Sequence, residues 1–283
     1  MPVSADSFYD EQVQVKQFLL ANIGAVELTV DELASIGEDL GHALGFAVAG
    51  DQAPAGEPSL AARRSLASKQ LLHKVDDGWA LAPWLEMMVD TVVEPLLVIN
   101  ARRTSESETY EWSFFLDSLL GVQQQVSQSG LVAWAPFEPG NVLDLLFDAG
   151  QLDNRPLETF GESFTIPLSL LRTVDQARGS GDDDGALEIL DRAGVGEAAR
   201  SAYVTSLRGC APNSSMFSVL DRTVQPPRLV DLSWIDVGVG GFWRIDIAPD
   251  PSTSPMVTVS HCDGWSLAQA LAAMLPTNDD SPG

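Results

Sequence analysis

The chain has 283 residues, 45% of them hydrophobic, and 40 acidic residues against 16 basic ones give it a net charge of −24. That is enough apolar sequence for a large core and, at about 150 residues per domain, for two units. A field of this sign repels phosphate backbones and anionic lipid, so nucleic-acid and membrane-surface binding are disfavoured.

No run approaches the roughly 18 consecutive apolar residues that would span a bilayer. The N-terminus, MPVSADSFYDEQ, lacks a basic segment followed by an apolar one, so no secretory signal is expected and the chain reads as cytoplasmic. Two cysteines, Cys210 and Cys262, are too few for a disulfide framework and read as buried, reduced thiols.

Apolar positions at Phe8, Val15, Phe18, Leu19 and Ile23 predict an amphipathic helix over 8–23, the body of an N-terminal helical extension at 1–24. Thr29, followed three residues later by Glu32, is a capping-box signature before a helix over Asp31–Leu40. Gly41–Leu60, which contains GDQAPAGEP, reads as a mobile loop. Helices are expected over Ala61–Leu72 and Ala80–Val93. Strands follow over Leu96–Arg103, Thr109–Leu116, Leu119–Ser127 and Leu131–Ala135, and a helix over Gly140–Ala149 closes a first half at 25–150.

After a linker at 151–162, the second half at 163–276 opens on the extended run Ser163–Ile166, which enters a helix at Pro167. Helices over Ala186–Ala193 and Gly196–Arg208 precede strands over Met216–Arg222, Leu229–Val237, Gly241–Ile247 and Met256–Ser260. A helix over Gly264–Leu275 ends the half, and 277–283 reads as a disordered tail. Connectors such as RTSESET and APDPSTSP suit antiparallel meanders. The fold class is therefore α+β, with antiparallel sheet flanked by helices.

The halves repeat one another. FLDSLLGVQQQV (Phe115–Val126) lies over WIDVGVGGFWRI (Trp234–Ile245) at an offset of 119 residues, matching Asp117 with Asp236, Gly121 with Gly240 and Val126 with Ile245. Leu96–Arg103 matches Met216–Arg222, and Leu131–Phe137 matches Met256–Cys262. Element order and near-constant spacing predict a pseudo-two-fold internal duplication.

Chemical motifs are sparse. GVGEAA (Gly194–Ala199) satisfies a dinucleotide pattern but follows a helix rather than a strand, so a helix end followed by a new helix start is the better reading. GVGG (Gly238–Gly241) reads as a hairpin turn. Ser180–Asp191 partly fits a calcium loop, but Ser180 replaces the first Asp and Asp191 the bidentate Glu, so a solvated acidic loop before a helix is favoured. His42, His73 and His261 have no zinc-ligand spacing, and GESFT (Gly161–Thr165) lacks the second glycine of a nucleophile elbow. No catalytic residue, metal site or cofactor is assigned.

Strand alternation supplies the partner-binding candidates. Trp243, Ile245 and Ile247 share one face, which is expected to meet helices, while Phe242, Arg244 and Asp246 share the other. At aligned positions Gln123 and Gln125 also face away from the apolar side. Phe242, Arg244, Asp246, Gln123 and Gln125 are thus the candidates, with Phe242 expected as an exposed aromatic anchor and an ordinary solvated face as the alternative. The Gly41–Leu60 loop and the C-terminal helix come next.

The order of these elements, with VELTVDEL (Val26–Leu33), AARRSLASKQLL (Ala61–Leu72), EPLLVINARR (Glu94–Arg103), LSWIDVGVGGFWRI (Leu232–Ile245) and LAQALAAMLP (Leu267–Pro276), resembles the EspG family of type VII (ESX) secretion-associated proteins of actinobacteria. The resemblance spans Ala25–Pro276. It implies a cytosolic, non-enzymatic chaperone or adaptor that recognises the apolar tip of a helical, PE–PPE-like secretion substrate and keeps it soluble for export. The strong acidity, the N-terminal helix and the 41–60 loop depart from the family pattern. The residues themselves leave open a duplicated interaction protein without a secretion role, or a small-ligand binder or enzyme.

Overall fold

A computed structural model describes residues 5–36, 60–75, 78–105, 108–127, 129–153, 157, 161–208, 213–247 and 255–276. Most of the predicted 41–60 loop, Cys210 and the 277–283 tail lie outside them. The chain divides into two compact units: Met1–Asn100 with Glu111–Val142 and Leu220–Arg228, and Ala101–Tyr110 with Leu143–Val219 and Leu229–Gly283.

In the first unit helix α1 (Ala5–Asn22) precedes strand β1 (Val26–Leu28) and helix α2 (Val30–Ile36). The capping box forms in both directions: the Thr29 N–H donates to Glu32 Oε2 at 2.8 Å, and the Glu32 N–H donates to Thr29 Oγ1 at 3.1 Å. Glu32 is buried and meets Lys69 Nζ at 2.8 Å, just beyond helix α3 (Leu60–Ser68). The same ammonium donates to the Glu27 carbonyl, so one lysine ties α2 to β1.

One expectation is corrected here. Residues 69–75 and 78–82 do not continue α3 or begin the next helix; β2 (Leu72–Val75) and β3 (Gly78–Leu81) pair antiparallel as a separate two-stranded sheet. Helix α4 (Pro83–Val93) starts only at Pro83, whose fixed φ and missing N–H suit a first helical turn. It buries Leu85, Met88, Val89 and Val92, one stripe at i, i+3, i+4 and i+7.

Four strands follow: β4 (Leu97–Ser105), β5 (Glu108–Leu116), β6 (Gly121–Val126) and β7 (Val132–Phe137). Asp117 builds the β5–β6 turn by accepting the N–H groups of Leu119 and Leu120, and its other oxygen accepts the hydroxyl of buried Thr91 at 2.6 Å. The core of this unit gathers Leu19, Leu28, Leu66 and Met88 against Val122, Val132 and Trp134 of the sheet.

Helix α5 (Val142–Gly150) and strand β8 (Phe164–Pro167) lead to α6 (Leu168–Gly179), α7 (Asp183–Arg192) and α8 (Glu197–Ser206). Between α7 and α8, Gly194 takes a positive φ of 80°, the helix end expected for GVGEAA. Strands β9 (Asn213–Asp221), β10 (Arg228–Asp236), β11 (Phe242–Ile247) and β12 (Met256–Cys262) and helix α9 (Gly264–Ala272) complete the chain, with a short 3-10 turn at Gly238–Gly240 joining β10 to β11. The second unit's core packs Leu171, Val174, Leu190 and Tyr203 against Phe164, Trp243 and Val259.

The fold is α+β: among the described residues, nine α-helices accompany a ten-stranded antiparallel sheet ordered β1-β7-β6-β5-β4-β9-β10-β11-β12-β8. The order reads alike from both ends. Each half's leading strand, β1 or β8, is an edge strand beside that half's last strand, β7 or β12, and β6 and β11 hold matching places.

Candidate partner-binding site

Trp243 and Ile245 of β11 pack into the second unit's core as the alternation predicts, but Ile247 is 48% exposed, and the second face is not open. Phe242 has 0% exposure, and α9 begins against it: a Cβ at Gly264 would stand 3.5 Å from Phe242 Cε2. The expected exposed anchor is therefore a core residue, because the terminal helix folds back over that end of the strand. Farther along, Arg244 and Asp246 are half-exposed and meet each other, with Nε 2.8 Å and Nη2 2.6 Å from Oδ1. Each charge is largely answered by the other.

Gln123 and Gln125 stand on one face of β6 in the first unit, opposite Phe114 and Trp112 in register. Gln123 is half-buried and Gln125 exposed. Between them Gln124 points the other way, buried, and accepts the Trp134 indole N–H at 2.8 Å.

Within the second unit, α5 and α9, the latter being the C-terminal helix that the sequence offers as a later candidate, frame a concave site none of whose lining residues is assigned from the sequence. Helix α5 ends where Gln151 adopts φ 50°, and the Leu152 N–H returns to the Phe147 carbonyl at 3.0 Å. This turn lays Leu152 and Asp153 against the start of α9. There Asp263 caps the helix through the Ser266 N–H at 2.8 Å, and its hydrogen bonds to Ser266 hold its carboxyl below the usual range. Gly264 is required at the seam, because a Cβ would lie 1.8 Å from the Asp153 carbonyl oxygen.

Leu267 and Leu271 turn inward, leaving Trp265, Ala268, Gln269 and Ala272 to line a cleft of about 350 Å³ with Phe147, Leu152 and Asp153. Trp265 is 60% exposed. The signal for it lay in GWSLAQALA, where the tryptophan falls off the Leu267–Leu271 stripe.

The charges along these segments have one sign. Residues 139–153 and 255–276 carry Asp144, Asp148, Asp153 and Asp263 and no Lys or Arg. The guanidinium of Arg103 donates to the Ala149 carbonyl at 3.1 Å, at the C-terminal end of α5, and stacks over the Tyr110 ring.

Elsewhere the polar groups are spent on structure. Asp182 caps α7 by accepting the Gly185 N–H, while Asp183, Glu188 and Asp191 meet Arg208, Arg192 and Arg200. Burial pushes the Cys262 thiol up to about 11. His261 accepts the Gly161 N–H at Nδ1, so Nε2 carries the proton it shares with the Gly240 carbonyl. Among the described residues no group of three or more His, Cys, Asp or Glu side chains is placed to hold a metal ion, and no helix is long and apolar enough to cross a membrane.

No protein-family model matches the sequence, and no curated protein matches it. Among solved structures the chain is similar to the Mycobacterium tuberculosis type VII secretion system chaperone EspG5, described in complex with a PE25–PPE41 dimer. Identity is 11%, the match covers 89% of this chain and 97% of that one, and the TM-score is 0.55. At that identity the likeness is one of fold.

Proposed function

We propose that this protein is a non-enzymatic cytoplasmic chaperone or adaptor that binds a helical, PE–PPE-like substrate of a type VII secretion system and keeps it soluble for export. The observation that carries the reading is the shared fold, which extends over nearly the full length of both chains. The sequence patterns from Val26 to Pro276 point to the same family. Physically, a helical cargo with an apolar tip aggregates unless a soluble partner covers the tip. A host with a net charge of −24 keeps such a complex dispersed.

Arg244, Asp246, Gln123 and Gln125 serve in this reading as polar contacts; Phe242, being buried, does not. The repeated element order, with β6 and β11 at matching places in the sheet, supports descent by internal duplication. The test is co-expression with PE–PPE pairs, followed by affinity capture and size-exclusion chromatography. The expected result is a stable complex with at least one pair, whose PPE-type subunit precipitates when expressed without this protein. If every pair stays soluble alone and none is retained, the chaperone reading falls.

A further inference from the structure

The cleft between α5 and α9 combines three properties that together specify an occupant. Its walls are apolar, formed by Phe147, Leu152, Trp265, Ala268 and Ala272. Trp265 stands 60% exposed beside these apolar walls, so its indole is free to serve as an aromatic anchor of the kind that dominates interfaces. Four aspartates and no basic residue lie on the segments that build it. We propose that this cleft is a docking site for an amphipathic helix that inserts Leu- or Phe-type side chains beside Trp265 and sets Lys or Arg against the acidic segments.

The chemistry chooses among possible occupants. A fatty acid or phospholipid would bring its own negative headgroup toward Asp153, which lines the cleft, and Asp263 at the start of α9, and be repelled. A second copy of this chain would present the same aspartates. A polar peptide would gain nothing from the walls, and an acidic amphipathic helix would fill them but meet like charge. Only an apolar face with a basic flank satisfies both. The cleft lies within one compact unit, and the proposal is independent of the chaperone reading.

The experiment uses the full chain and three fluorescein-labelled peptides of about 14 residues, long enough to be helical when bound. One is an amphipathic Leu/Lys helix; the second replaces Lys by Glu; the third replaces Leu by Ser. Fluorescence anisotropy at about 0.15 M salt, where charges beyond about 8 Å are screened, should show saturable binding of the Leu/Lys peptide and at least roughly tenfold weaker binding of the other two. Trp265→Ser, and separately Ala268→Gln, which fills the cleft without changing charge, should each weaken the Leu/Lys peptide by roughly tenfold or more.

Circular dichroism melts confirm that both variants remain folded, and Ala268→Gln carries the test if the tryptophan variant does not. Equal affinity of folded wild type and variants for the Leu/Lys peptide would show that net charge alone recruits it and would overturn the proposal. Equal binding of the Leu/Glu or Ser/Lys peptide, or no saturable binding at all, would do the same.

Discussion

Trp243 should be among the costliest aromatics to truncate in the second unit. It has 0% exposure, stacks on His261 at 4.5 Å between centroids, meets Tyr203 edge-on at 5.2 Å, and donates its indole N–H to Ser206 Oγ at 2.7 Å. Burying an indole of that size is worth about 4–6 kcal/mol by area, and truncations of buried aromatics to alanine cost about 3–5 kcal/mol. The lost hydrogen bond adds little, about 1 kcal/mol, because the Ser206 hydroxyl still donates to the Tyr203 carbonyl. Trp243→Ala should therefore cost about 4 kcal/mol, and Trp243→Phe, which keeps a ring against His261 and Tyr203, about 1–2 kcal/mol. Urea unfolding followed by circular dichroism separates the two. A loss below about 1 kcal/mol for the alanine variant, or equal losses for both, would mean that this aromatic cluster does not hold the unit together.

The same measurement on β11 should give Phe242→Ala a loss of about 3–5 kcal/mol, whereas Arg244→Ala, half-exposed, stays within about 1 kcal/mol; a harmless Phe242→Ala would contradict its burial under α9. Thr29→Ala removes one arm of the capping box and should cost about 1 kcal/mol in thermal melts. For Glu32, burial raises the carboxyl pKa, but hydrogen bonds from Lys69, the Thr29 N–H and Ser65 outweigh it and leave the pKa below the ordinary 4.5. Its stabilisation is thus whole above pH 4.5 and lost as acid takes the pH down through the folded-state value. Glu32→Gln should flatten that acid limb of stability against pH, and an unchanged limb would refute the assignment. In a Cys210→Ser background, Cys262, whose thiol burial pushes up to about 11, should react with Ellman's reagent only as the protein unfolds; prompt labelling of the native protein would show that it is accessible.

The legible parts of the fold are those whose determinants are local. The Thr29–Glu32 box needs four consecutive residues, and both of its bonds form. Strands β4, β5, β10 and β11 lie within two residues of their expected limits, because alternation and flanking turn residues act over a handful of positions. The aligned Asp117 and Asp236 do the same work, each accepting the backbone N–H of the residue two positions on, in the turn that follows its strand. The two-stranded sheet of β2 and β3 was missed because SKQLLHK favours helix and the apolar pattern is short.

The binding surface was harder to read because burial is decided by residues distant in sequence. Alternation correctly placed Phe242 opposite Trp243, yet nothing within β11 says that α9 returns to cover one of them. The return depends on a backbone contact between Asp153 and Gly264, and no periodicity reports it. The cleft follows from the same contact: where Leu152 and Asp153 are drawn against the start of α9, the helix must turn Leu267 and Leu271 into the core, and the small residues Ala268 and Ala272 leave space beside Trp265. One glycine thus converts an apolar C-terminal helix into two surfaces, one sealing Phe242 and the other left open with acidic segments around it. A side chain at position 264 would push the helix away and damage both at once, so a selective test of the cleft has to be made at Trp265 or Ala268.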